Sequence, residues 1–188
     1  TGSCVPQDQW GSREILIDSG SSQGTIIPLY YKIVTAQDII DGQANFEVQG
    51  SNTGAKKYMC YLIKNPPVKS KITWASGGNA STGSFSFAGL TAEANSLLLF
   101  LAGTFRSGGT TVSAANIAND NPIWTTDDNN SVSGNTRTFA QKASRAPSGA
   151  TGNVSVTLSS TGTQIGAALV AIAPVELPTV TTSFNEIG

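Results

Sequence analysis

The chain contains no histidine. That absence removes Ser-His-Asp and Cys-His catalysis, imidazole metal ligation and the usual proton shuttle at neutral pH. Serine and threonine are plentiful, but no such base stands by to activate them. Charge is scarce as well. Asp, Glu, Lys and Arg make up 12% of the residues, about half the share of an ordinary soluble domain. The net charge is −1, and the basic residues form no stripe that could track a phosphate backbone, so no nucleic-acid partner is expected. Cysteine is limited to Cys4 and Cys60, too few for a disulfide scaffold or a zinc site. A bridge between them would close a long loop and add roughly 3–4 kcal/mol; left unpaired, Cys60 would serve as a small buried hydrophobe. Both readings stay open. The longest apolar run, Leu97 to Ala102, is far below the roughly 20 residues that a membrane-spanning helix needs, so no membrane insertion is expected. No signal peptide is visible and Thr1 is not an initiator Met, which points to a processed chain or part of a longer one.

What the chain does have is short apolar runs separated by Gly, Ser, Thr, Ala and Asn. Helix signals are few. The best is Thr35 to Gly42, where Thr35 caps and Gly42 terminates about two turns. The rest reads as strands: Arg13–Asp18, Thr25–Val34 with Pro28 implying an edge or bulge, Ala44–Gln49, Lys57–Ile63 and Lys71–Trp74. Further on come Ser84–Phe87, Ser96–Phe105, Thr110–Ser113, Ile123–Thr125, Thr136–Lys142, Asn153–Ser159 and Gly166–Ala173. Gly77 to Gly83 and Asp127 to Gly134 read as loops, and Ala114 to Asp120 as an ambiguous stretch with a helical turn. Many short strands with regular turn signals predict an all-β fold, an antiparallel β-sandwich with little helix.

A stretch of this text occurs twice. Residues 45–66 and 153–174 align without a gap at an offset of 108, sharing Asn45/Asn153, Val48/Val156, Ser51/Ser159, Thr53/Thr161, Gly54/Gly162 and Pro66/Pro174. Internal repeats of this kind signal related structural units. The expected division is a partial β-unit over 1–67, matching the back half of a sandwich, a complete unit over 68–175 and an extended tail over 176–188. A half sandwich has an open edge and a bare apolar face. An extensive interface is therefore expected, with the second unit or with another subunit.

The order of an apolar NSLLLFLAG strand, a polar stretch ending in Trp124, an FAQK strand, an NVSV strand and a closing AALVAIAP strand resembles a known family. It is that of the jelly-roll-like β-sandwich modules of tailed-phage virion structural proteins, also met in some secreted bacterial proteins. The likeness covers residues 71–174 and part of 10–66. It departs at Asn121-Pro122-Ile123-Trp124, where the family pattern has a Gly shortly before the Trp. The resemblance implies a non-enzymatic bacteriophage component, a capsid decoration, tail or fibre module located on the virion. Its partners would be other virion proteins and further copies of itself in a homo-oligomer. It carries over no catalytic, cofactor or metal residues. The alternative is a secreted, extracellular carbohydrate-binding or adhesin module that engages host surface glycans.

Candidate site residues fall into two groups. Lys56, Lys57, Lys64, Lys69 and Lys71 form a local basic cluster that would either keep strand edges soluble or dock an acidic neighbour. Trp10, Trp74 and Trp124 could stack on sugar faces, although most aromatic residues in so aromatic-poor a chain belong in a core. Asp120, Asp127 and Asp128 lie in an oxygen-rich stretch, but their spacing does not fit a calcium-binding loop, and a solvated turn is the expected reading. Glu14/Asp18 and Asp38/Asp41 have no supporting feature as paired catalytic carboxylates.

Overall fold

The computed structural model describes residues 5–6, 14–18, 26–29, 36–41, 48–49, 71–80, 84–105, 112–119, 122–132, 136–158 and 164–174. The first part of the chain contributes β1 (Val5–Pro6), β2 (Glu14–Asp18), β3 (Ile26–Leu29), the six-residue helix α1 (Ala36–Asp41) and β4 (Val48–Gln49). Then follow β5 (Ile72–Ala80), β6 (Ser84–Phe87), β7 (Thr91–Ala92), β8 (Ser96–Phe105) and β9 (Val112–Ile117). The last run is β10 (Thr125–Val132), β11 (Thr136–Arg145), β12 (Gly149–Ala150), β13 (Val154–Leu158) and β14 (Gln164–Ile172).

From β5 onward the chain behaves as one long antiparallel ribbon folded back on itself. β5 pairs with β14, β6 with β13, β7 with β12 and β8 with β11, so the partners are nested. Rolling such a ribbon brings β14 against β8 and β13 against β9. The product is a five-stranded sheet in the order β10-β11-β8-β14-β5 and a three-stranded sheet in the order β6-β13-β9. The fold is a jelly-roll-like β-sandwich, all-β and antiparallel.

Period-two alternation decides what fills it. Along β8, Leu98, Phe100 and Ala102 enter the core between the sheets, meeting Ile165, Ala167, Leu169 and Ala171 of β14 and Phe139 of β11. Phe87, Ile117, Val154 and Val156 close that core from the smaller sheet. Phe85 and Phe87, two residues apart and so on one face of β6, have ring centroids 6.2 Å apart. The intervening residues of the two central strands, Leu99, Ala168, Val170 and Ile172, form a second buried cluster with Leu97, Leu101 and Ile72 on the outer face. A strand buried on both faces reads as an unbroken apolar run rather than an alternation. That is why SLLLFLAG and GAALVAIA look continuous.

Elements from the first part of the chain lie over that outer face. β2 pairs with β3 and lies against β5 and β14, while β3 lies against β14 and β8. Pro28 sits in β3 opposite Ile15, next to a register irregularity between Ile15 and Ile17, as the sequence leads one to expect. Of the first repeat copy, Val48–Gln49 is extended as β4 and pairs with β1, and Val156, the counterpart of Val48, lies in β13. The expected Lys57–Ile63 strand, Cys4, Cys60 and the 176–188 tail lie outside the described residues.

Three expectations are corrected. Gly77 and Gly78 do not open a loop: β5 runs through them to Ala80, with Gly77 opposite Ala167 and Gly78 opposite Gly166. Close approach explains these glycines. A Cβ on Gly77 would fall 2.5 Å from the Cβ of Phe87, and one on Gly78 would fall 2.8 Å from the Ile165 carbonyl oxygen. Ala114 to Ile117 is strand rather than helical turn, held in register by β13; only Ala118 and Asn119 turn. Asp127 to Val132 is likewise strand, the outermost of the large sheet. An edge strand needs a partner on one side only, so its polar residues can face water.

One end of the sandwich is locked by Thr151, which is fully buried. Its hydroxyl accepts a hydrogen bond from the Leu90 N–H at 3.0 Å and faces the Leu90 and Gly152 carbonyls, either of which can take its proton. Its own N–H donates to the Leu90 carbonyl at 2.8 Å. Asn119 ties the neighbouring turn to the same segment, donating from its backbone N–H to the Thr151 carbonyl and from its side chain to that of Ala150. Gly152 has φ +70° beside that turn, and Gly89 passes so close that a Cβ on it would collide with the Gly152 carbonyl. The Leu90 and Thr151 backbone groups lie in buried residues and would otherwise lack partners.

Candidate interaction surface

At one corner of the five-stranded sheet, the residues leading into β10 and those leaving β11 frame an open depression of about 650 Å³. Leu97, Pro122, Ile123, Ala143, Ala146 and Pro147 supply its apolar lining. Pro122 and Ile123 precede β10 in irregular backbone, and no described strand pairs with them. Ile123 is 90% exposed, the most exposed of the large hydrophobic side chains described. Single exposed apolar residues are ordinary on protein surfaces; this one stands at a concavity to which five other apolar residues and four polar ones contribute.

The two cationic side chains that line the depression are already engaged. Lys142 forms an ion pair with Asp127 at 2.7 Å, made possible by the β10 irregularity between Thr126 and Asp128. With both partners partly in water, that pair contributes about 0.2–1 kcal/mol at most. Arg145 is buried at the end of β11, and its guanidinium donates to the Pro147 carbonyl at 2.6 Å. Beneath, on the inner face, Gln141 donates to the Thr126 hydroxyl at 3.1 Å, while its own amide oxygen is buried without a partner. The corner therefore presents an apolar side chain flanked by an ion-paired lysine and a buried arginine that is hydrogen-bonded to backbone.

Among the described residues, those singled out from the sequence, Lys71, Trp74 and Trp124, do not form one site. Lys71 forms an ion pair with Glu93 at 2.7 Å on the surface; Lys56, Lys57, Lys64 and Lys69 lie outside the described residues, as does Trp10. Trp124 is half-buried and meets Phe100 edge-on at 6.4 Å, and Phe100 in turn meets Phe139 at 6.0 Å. It belongs to the inner core. Trp74 stands opposite Val170, which faces outward, and is 37% exposed. The two tryptophans are thus on opposite faces of one sheet and cannot form a single stacking platform.

No protein family, curated protein or solved structure matches the chain. Chemistry must therefore be read from the side chains. Asp127 and Asp128 are in β10 rather than a loop, and among the described residues no group of three or more His, Cys, Asp or Glu side chains is placed to hold a metal ion. No described helix is long and apolar enough to cross a membrane. Ile123 was the residue that sequence reading overlooked. Its one signal was the Asn121-Pro122-Ile123-Trp124 departure from the family pattern, where an isoleucine next to a proline interrupts a polar stretch.

Proposed function

We propose that this protein is a non-enzymatic structural module that works through protein–protein assembly contacts, of the kind found on virion surfaces. The observation that carries this reading is Ile123, almost fully exposed beside an open depression of mixed apolar and polar lining. An apolar anchor over a concavity whose cations are already satisfied suits a protein side chain better than a polar ligand. A sugar needs a flat aromatic face together with unsatisfied polar groups. The low charge of the chain and its resemblance to phage decoration, tail and fibre modules in residues 71–174 support the virion setting.

Two measurements test it. Sedimentation of the purified chain, alone and with the particles or cell envelopes of its source, should show association, and Ile123→Asp should weaken it without lowering the melting temperature. A chain that stays monomeric, ignores the particles and binds a glycan array would overturn the assembly reading in favour of a carbohydrate-binding module.

A further inference from the structure

The two edges of the five-stranded sheet are built differently. β10 carries adjacent aspartates, Asp127 and Asp128, and an irregular register between Thr126 and Asp128. Charge and irregularity are what discourage an edge strand from pairing with another chain. β5, which ends the sheet on the other side among the described residues, has neither safeguard. Its nine residues, ITWASGGNA, include no charged side chain and no proline. Its pairing with β14 runs from Ile72 to Ala80 without a register shift. Thr73, Trp74, Ser76 and Gly78 are exposed.

We propose that β5 pairs antiparallel with β5 of a second copy of this chain, joining two large sheets into one continuous sheet across a two-fold axis. The absence of charge makes a second copy a fitting occupant, because self-pairing sets no like charges opposite each other. Full overlap of the two strands places the axis at Ser76, so that Ser76 faces its own counterpart, Ile72 faces Ala80 and Trp74 faces Gly78. Residues directly opposite share a face of the sheet. Each exposed indole then lies over a glycine of the other chain, a position with no side chain of its own to cover the backbone, and aromatic residues stabilise such glycines across strands. The contact is self-complementary, as a two-fold interface requires. This deepens the assembly reading by naming a surface and a partner, and it rests on that reading only in taking a protein neighbour as the ligand.

The test is a thiol at the axis. Ser76→Cys in the full chain, oxidised in dilute solution, should give a disulfide-linked dimer reversed by reductant. Peptide mass spectrometry should find position 76 linked to itself, against the unsubstituted chain as background for Cys4 and Cys60. Ser76→Lys should weaken self-association by about tenfold or more in sedimentation equilibrium, whereas Asn130→Lys on the opposite edge should leave it unchanged. An oligomer in which position 76 never links overturns the β5 pairing and leaves the assembly reading standing on another surface. A monomer in which the introduced thiol resists alkylation means that the chain's own residues, such as 57–63, cover β5. A monomer in which that thiol reacts freely means an unused edge. Either monomer result overturns the inference.

Discussion

Thr151 shows how much one small polar residue holds. It is fully buried and exchanges hydrogen bonds with both backbone groups of Leu90, while its carbonyl receives the N–H of Asn119. Thr151→Val keeps the shape and deletes the hydroxyl, leaving the Leu90 N–H buried without a partner. The expected cost is about 1–3 kcal/mol, read as a lower urea midpoint at unchanged slope; Thr151→Ser should recover most of it. Gly77 is the opposite case, a residue chosen for what it lacks. Gly77→Ala would push a methyl group into the Phe87 side chain, and strain from overpacking costs about 1–3 kcal/mol. The sequence shows the glycine but not its neighbour. Gly77-Gly78 followed by polar residues reads as a loop because turn glycines and close-approach glycines look alike in one dimension.

Among the elements, the central strands were the most legible. β8 occupies the predicted bounds Ser96–Phe105 and β14 nearly those expected, because a strand buried on both faces has an unmistakable apolar text. That double burial is itself testable. Leu99→Ala should cost about as much as an inner-core truncation such as Leu98→Ala, on the order of 2–5 kcal/mol each. A near-neutral Leu99→Ala would mean that the outer face is not covered as described. The least legible strand was β10. Asp127 to Val132 carries no apolar pattern because an edge strand is held by backbone pairing to β11, and nothing about that pairing needs hydrophobic side chains. Asp127→Asn, which removes the ion pair with Lys142 while keeping the strand, should shift stability by less than about 1 kcal/mol.

At the scale of the whole molecule, the nested pairing of β5 to β14 ties distant parts of the chain into two facing sheets, and β2 and β3 lie against the larger one. A change at the exposed corner should therefore separate assembly from folding. Ile123→Asp touches a side chain that is 90% exposed, so circular dichroism and thermal midpoint should stay within about 0.5 kcal/mol of the unsubstituted protein, while association falls. A parallel loss of stability would show that Ile123 is a structural residue and not a contact.

The amino-acid sequence determined the class of this protein. Alternating and continuous apolar runs, frequent turn residues and scant helix signals specify antiparallel strands, and the absence of histidine closes off the commonest catalytic chemistry at once. These are local properties, carried by each residue and its near neighbours. Tertiary structure decided everything that depends on who stands opposite whom. Rolling the ribbon put Trp74 and Trp124 on opposite faces of one sheet, turned Gly77 and Gly78 from loop residues into points of close contact, and converted an aspartate-rich stretch into an edge strand. It also left Ile123 uncovered at a corner. Those outcomes come from pairing between residues far apart in the chain, and no period or local motif records them.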